Sequence, residues 1–265
     1  MRKKNGILVL AVIGFLLAFT LSSDKDRFWF KGGHVSASEP QADEFSIPVL
    51  AYHSIANHPR NAYVITQADF EEQMAYLHEQ HYESINLEQF TKLMKEKKAV
   101  AKKLVLITFD DGYANTYSAA FPILRKYGYT ATAFVITDWL GGRNFMSWQQ
   151  AEKLQQAGWD IMPHSRSHPE LPRLSEEQQY DEISGSRAAI ELKLHSRADI
   201  FAYPYGLRSE TTLEQLGNAG FTYAFTFDNG LTSSEQDPLS LKRMVVSRGE
   251  TLFQFSHRLH EHAME

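Results

Sequence analysis

Leu104 to Phe109 reads LVLITF, six residues without a charge. A run of this kind is suited to a strand covered on both faces. Around it, short β-rich runs alternate with amphipathic stretches of helical period. The first strand is read over Ile47–His53. A helix follows from Gln67, capped by Thr66, with Phe70, Met74 and Leu77 on one face. Asn86 caps a second helix running to Lys97. Beyond LVLITF the plan repeats: helix 114–127 and strand 131–137, helix 148–157 and strand 159–163. Helix 176–194 then leads to strand 199–204, and helix 209–218 to strand 221–227. A last strand over 241–247 precedes a helix over 252–263. Three helix-to-strand joints place glycine before an aromatic residue, at Gly128-Tyr129, Gly158-Trp159 and Gly220-Phe221.

About seven or eight such units in one chain predict a parallel sheet, either closed as a barrel or open and doubly wound. The barrel is favoured. No GxGxxG loop follows the first strand, so dinucleotide binding lacks its signature. In either architecture chemistry belongs at the C-terminal ends of the strands.

Four groups of polar residues fall there. Thr108-Phe109-Asp110-Asp111-Gly112 closes the most apolar strand. Adjacent carboxylates repel and resist desolvation, so a cation neutralising one of them gives the pair a purpose. Gly112 can break the strand alternation and let both reach the mouth of the fold. The plain alternative is a turn in which Asp caps the next helix. His164-Ser165-Arg166-Ser167-His168 lies between Pro163 and Pro169, so the two imidazoles sit on a loop. Two histidines and an aspartate form an N,N,O set suited to zinc or a similar divalent ion. Surface histidines are the alternative for the pair alone.

Phe201-Ala202-Tyr203-Pro204-Tyr205-Gly206 can fix a loop whose backbone N–H groups stabilise an oxyanion, or serve as a simple strand-to-helix turn. His53, after the first strand, is placed to act as a general acid, or to bond a neighbouring loop. His257, His260 and His262 at the C-terminus read as solvated side chains.

The composition bounds the rest. Lys and Arg number 27 against 32 Asp and Glu, a net charge of −5 that does not favour a nucleic-acid partner. Cysteine is absent, which excludes disulfides and thiolate chemistry. Arg2-Lys3-Lys4 followed by an uncharged, mostly apolar run from Ile7 to Leu21 has the form of an export signal. Residues 1–22 are therefore expected to be a signal peptide or a short membrane anchor, 23–46 a linker, and 47–265 the catalytic domain. The expected location is secreted or cell-surface, with the membrane involved only through such an anchor.

With these residues in hand, the sequence resembles the polysaccharide deacetylase family of carbohydrate esterases over roughly residues 47–250. TFDDG at 108–112, HSRSH at 164–168 and AYPYG at 202–206 are similar to its three motifs. The resemblance implies a distorted (β/α) barrel of about seven units. It also implies Asp110 as base, and Asp111, His164 and His168 as ligands of a divalent metal: zinc first, cobalt or nickel as alternatives. The Tyr205 backbone N–H is implied at the oxyanion, with Tyr203, Pro204 and Arg243 as substrate-binding residues. Two departures stand out. Ala202 occupies the place of the arginine that pairs with the base, leaving Arg243 or Arg166 as candidates to replace it. The late motif that supplies the general acid is missing, but PVLAYHS at 48–54 resembles the subgroup acting on poly-N-acetylglucosamine, which implies His53 in that role. The expected reaction is deacetylation of an extracellular N-acetylated polysaccharide. A glycoside hydrolase and a non-catalytic glycan-binding protein are the alternatives.

Overall fold

The computed structural model describes residues 45–57, 61–97 and 101–261. Eight strands form one sheet: β1 (Val49–Tyr52), β2 (Glu83–Ser84), β3 (Leu104–Phe109), β4 (Thr132–Val135), β5 (Asp160–Pro163), β6 (Ile200–Ala202), β7 (Tyr223–Asn229) and β8 (Leu241–Val245). Every pairing within it is parallel. The order is β5-β4-β3-β1-β8-β7-β6, with β2 beside the start of β3. Parallel neighbours require crossovers, and seven helices are found among the described residues: α1 (Gln67–Glu79), α2 (Leu87–Glu96), α3 (Phe121–Lys126), α4 (Trp148–Gln156), α5 (Glu176–Leu194), α6 (Glu210–Asn218) and α7 (Leu252–Glu261). The sheet is nearly closed. Its two ends, β5 and β6, meet at a seam where His164 Nδ1–H donates to Ala202 O at 2.7 Å.

All six side chains of β3 are buried, as its composition demands. The main core runs from Phe45 through Phe90, Phe134 and Phe225 to Phe255. A smaller apolar cluster, including Ile183, Phe201, Tyr203 and Leu216, lies where α5 and α6 cover the sheet.

Two segments differ from expectation. The first strand is broken into three. Ser46–Ile47 pairs antiparallel with Thr232–Ser233, β1 enters the barrel, and Ser54–Ile55 pairs with Val64–Ile65. Pro48, without an N–H, separates the first two pieces. The helix expected over 114–127 is present over 114–126, but its middle turn, Thr116–Ala120, is wound as a wide π-turn before α3. Pro122 cannot donate to the preceding turn, and the ladder is re-registered there. The linker expectation is also shortened: Phe45 is buried and Ser46 is paired in a strand. The segment 1–22, expected to be a signal peptide or anchor, most of the expected linker, and His262 lie outside the described residues. His257 is exposed and stacks on Phe253.

Candidate active site

The polar strand ends converge on one mouth of the barrel. Asp110 and Asp111 leave β3, and the chain turns sharply there. Asp111 itself takes φ +73°, followed by Gly112 at +81°. The alternation of the strand is thus broken one residue earlier than Gly112 alone would do it. A non-glycine residue in this region is strained by about 1–2 kcal/mol. Here that turn sends two adjacent carboxylates to different partners.

Asp110 is fully buried and bound through both oxygens by Arg243 of β8, at 2.8 and 2.7 Å. Arg243 also donates to Thr108 Oγ1 and Thr226 O, and lies over the rings of Phe134, Phe225 and Phe227. Burial by itself would push the Asp110 carboxyl up. The Arg243 charge and its two hydrogen bonds outweigh burial and hold the group well below the usual carboxylate range.

Asp111 has no such cation. Burial, and then the Asp110 charge, push its carboxyl up to about 7, against a hydrogen bond from Tyr113. Its Oδ1 lies 3.5 Å from His164 Nε2 and 3.5 Å from His168 Nε2. One ligand atom from each of the three residues falls within 4.8 Å of the others. The bond from His164 Nδ1–H to Ala202 O fixes the tautomer and turns the Nε2 lone pair inward. Burial lowers both imidazoles to about 4, so they are neutral and free to ligate at pH 7. A buried carboxylate lacking a countercharge, facing two neutral imidazoles, fits a divalent cation.

The cleft above these groups has a volume of about 310 Å³. Its walls are His53, Tyr63, Tyr113, Trp139, Tyr205 and Phe227, with Asp111 and His168 at the base. Tyr205 takes φ +58° and is 53% exposed, with its ring 4.5 Å from that of His168. His53 packs on Tyr63 and Phe227, and burial lowers it to about 4, so it is neutral at pH 7. Its buried Nδ1 has no hydrogen-bond partner among the described residues.

Three residues expected to bind substrate do not reach this cleft. Arg243 is fully buried on Asp110. Tyr203 is buried in the smaller core, its hydroxyl donating to Leu239 O. Pro204 is likewise buried, beneath Tyr205 in the turn. Arg243, not Arg166, stands in for the arginine missing at Ala202. Arg166 lies on the surface, pairing with Asp181 and Asp138. Tyr63, Trp139 and Phe227 were not singled out from the sequence. Their only signal was aromatic side chains following strand ends or close to them.

The turn that presents Tyr205 is sterically closed. At Gly206, φ +69°, an added Cβ would meet the Phe227 backbone nitrogen at 2.6 Å. Gly206→Ala is expected to cost more than about 1 kcal/mol, since both the conformation and the space exclude a side chain. A lower midpoint of thermal unfolding would bear this out.

Known proteins are similar to this chain in sequence and in fold. The family described as Polysaccharide deacetylase matches residues 97–224. A Bacillus subtilis (strain 168) protein, YxkH, assigned by name to the polysaccharide deacetylases, is 33% identical over 203 residues, 77% of this chain and 72% of that one. The chain belongs to the polysaccharide deacetylase family. It is accordingly a deacetylase by enzymatic class. The poly-beta-1,6-N-acetyl-D-glucosamine N-deacetylase of Staphylococcus epidermidis is 28% identical over 199 residues, 70% of this deacetylase and 68% of that one. Among solved structures, the Streptococcus pyogenes deacetylase PplD, in complex with acetate, superposes with a TM-score of 0.78 at 26% identity, covering 82% of this chain and 99% of that one.

Proposed function

We propose that this deacetylase removes N-acetyl groups from an N-acetylglucosamine-containing polysaccharide outside the cell. It would use a divalent ion, zinc in the first place, held by Asp111, His164 and His168. The observation that carries the reading is the convergence of those three ligand atoms beside a second carboxylate kept anionic by Arg243. The Staphylococcus epidermidis relative, named for poly-beta-1,6-N-acetyl-D-glucosamine, supports the substrate class. So does the cleft, which offers the half-exposed rings of Tyr63, Trp139 and Tyr205 around a few polar groups. The basic and then apolar N-terminus supports export.

Asp110 accepts the proton of the attacking water. Its ion pair keeps it ready as an acceptor at neutral pH, but also makes it a weak base. Asp111, His164 and His168 would hold the divalent ion that would supply the missing drive, as Lewis acid to the amide carbonyl and to the water. The Tyr205 backbone N–H stabilises the oxyanion that forms on the amide oxygen. His53 differs from a simple acid. Being neutral at pH 7, it must first receive the proton released at Asp110 before handing it to the departing amine. The pairing of Asp110 with Arg243 counts against a two-carboxylate glycosidase, which needs its carboxyl groups on opposite sides of a glycosidic bond.

Acetate release from poly-β-1,6-N-acetylglucosamine, peptidoglycan and chitin oligomers tests the reading. The largest release is expected from the first, with chain length unchanged. Chelator should abolish it without unfolding the protein, and zinc should restore it. Shortened chains, or full activity after verified metal removal, would contradict the proposal.

A further inference from the structure

The loop His164–His168 is held in a costly shape. Ser165 and His168 both take positive φ, at 63° and 64°, a region that penalises any residue carrying a Cβ. Such a conformation persists only when its surroundings over-determine it. On one side, Thr137 N–H donates to Ser165 O and Asp138 N–H to Arg166 O. Within the loop, His168 N–H donates to Ser165 Oγ at 2.9 Å.

The strongest hold comes from α5. Glu182 Oε2 accepts from the backbone N–H of both Arg166 and Ser167, each at 2.9 Å, and Oε1 accepts from Ser167 Oγ at 2.6 Å. One carboxylate thus takes three donors from two consecutive loop residues, bonds of the stronger, charge-assisted kind. Asp181 adds a bond from Arg166 Nη1 at 2.7 Å. Gly185, one turn further along α5, leaves the space that the Arg166 side chain crosses. A Cβ there would lie 2.6 Å from Arg166 Cδ.

We infer that Glu182 is a positioning residue for the metal site: by clamping Arg166 and Ser167 it sets where His168 stands against Asp111. The inference rests on the proposed reading of Asp111, His164 and His168 as metal ligands. Affinity for the ion then depends on a carboxylate outside the ligand set, as groups behind the ligands are known to tune metal sites.

The test is zinc affinity of the full chain, measured by competition with a chromophoric chelator, alongside thermal unfolding in excess chelator. Glu182→Ala is expected to bind zinc about 10–100-fold more weakly while keeping its far-ultraviolet circular dichroism. Acetate release should largely recover at saturating zinc. Glu182→Gln, which keeps one carbonyl for the two backbone donors, should fall between Glu182→Ala and wild type. Should Glu182→Ala fail to fold, Glu182→Gln and Ser167→Ala carry the comparison, both with weakened zinc binding. Wild-type zinc affinity in these variants overturns the inference, even where thermal stability has dropped. A wild-type protein that binds no zinc would overturn the metal reading as well, and so stands apart from that result.

Discussion

Arg243→Met is expected to destabilise the protein by about 3–5 kcal/mol, the usual effect of removing one partner of a buried ion pair. It should also remove nearly all acetate release. Without the guanidinium, burial dominates at Asp110 and favours the protonated acid, which cannot take a proton from water. The dependence on pH follows from the same pair. In the native protein the Asp110 carboxyl lies below its unfolded value of about 3.9, so its contribution is present above that pH and fades as pH falls through the lowered value. In the variant the folded carboxyl lies above the unfolded value, so stability is lost as pH rises. The gap between the two proteins should therefore be widest near neutrality and narrow below about pH 4. Denaturant unfolding at pH 7 and pH 3 measures it. The double variant Arg243→Met, Asp110→Leu should regain stability but not activity, since replacing a whole buried pair by apolar groups is often neutral. An Arg243→Met protein as stable and active as wild type would remove the pair from the account.

Asp110→Asn is expected to lower acetate release by about 10²–10⁴-fold, the range for loss of a positioned base. Zinc binding should remain, because Asp111, His164 and His168 are untouched. The amide leaves the Arg243 charge less well paired, so folding must be checked by circular dichroism before rates are compared. Near-normal acetate release at full zinc occupancy would show that another group accepts the proton.

The alternation of strands and helices was legible because its signals are local. Thr66 and Asn86 cap their helices as their side chains suggest, and Gly128, Gly158 and Gly220 all take positive φ at the helix ends. The grouping of Asp111, His164 and His168 was legible for a related reason: all three follow strand ends, which a parallel barrel brings to one face. The partner of Asp110 was legible only as a choice between Arg243 and Arg166. Arg243 lies 133 residues away, and its meeting with Asp110 depends on β8 lying beside β1 and β1 beside β3, an order that helical and strand periods do not encode. The same limit explains Tyr203 and Arg243, whose polar groups drew attention as substrate contacts but which packing turned inward. It also explains the cleft rings: Phe227 lies where the pairing of β7 with β8 shifts register between Phe225 and Asn229, an irregularity no local pattern marks.

Anomalous diffraction at the zinc edge, from crystals grown with zinc, tests the central claim most directly. The expected result is one peak in the cleft, about 2.0–2.1 Å from Nε2 of His164 and His168 and about 2.0–2.2 Å from an Asp111 oxygen. A peak elsewhere, or none in crystals of the active enzyme, would contradict it.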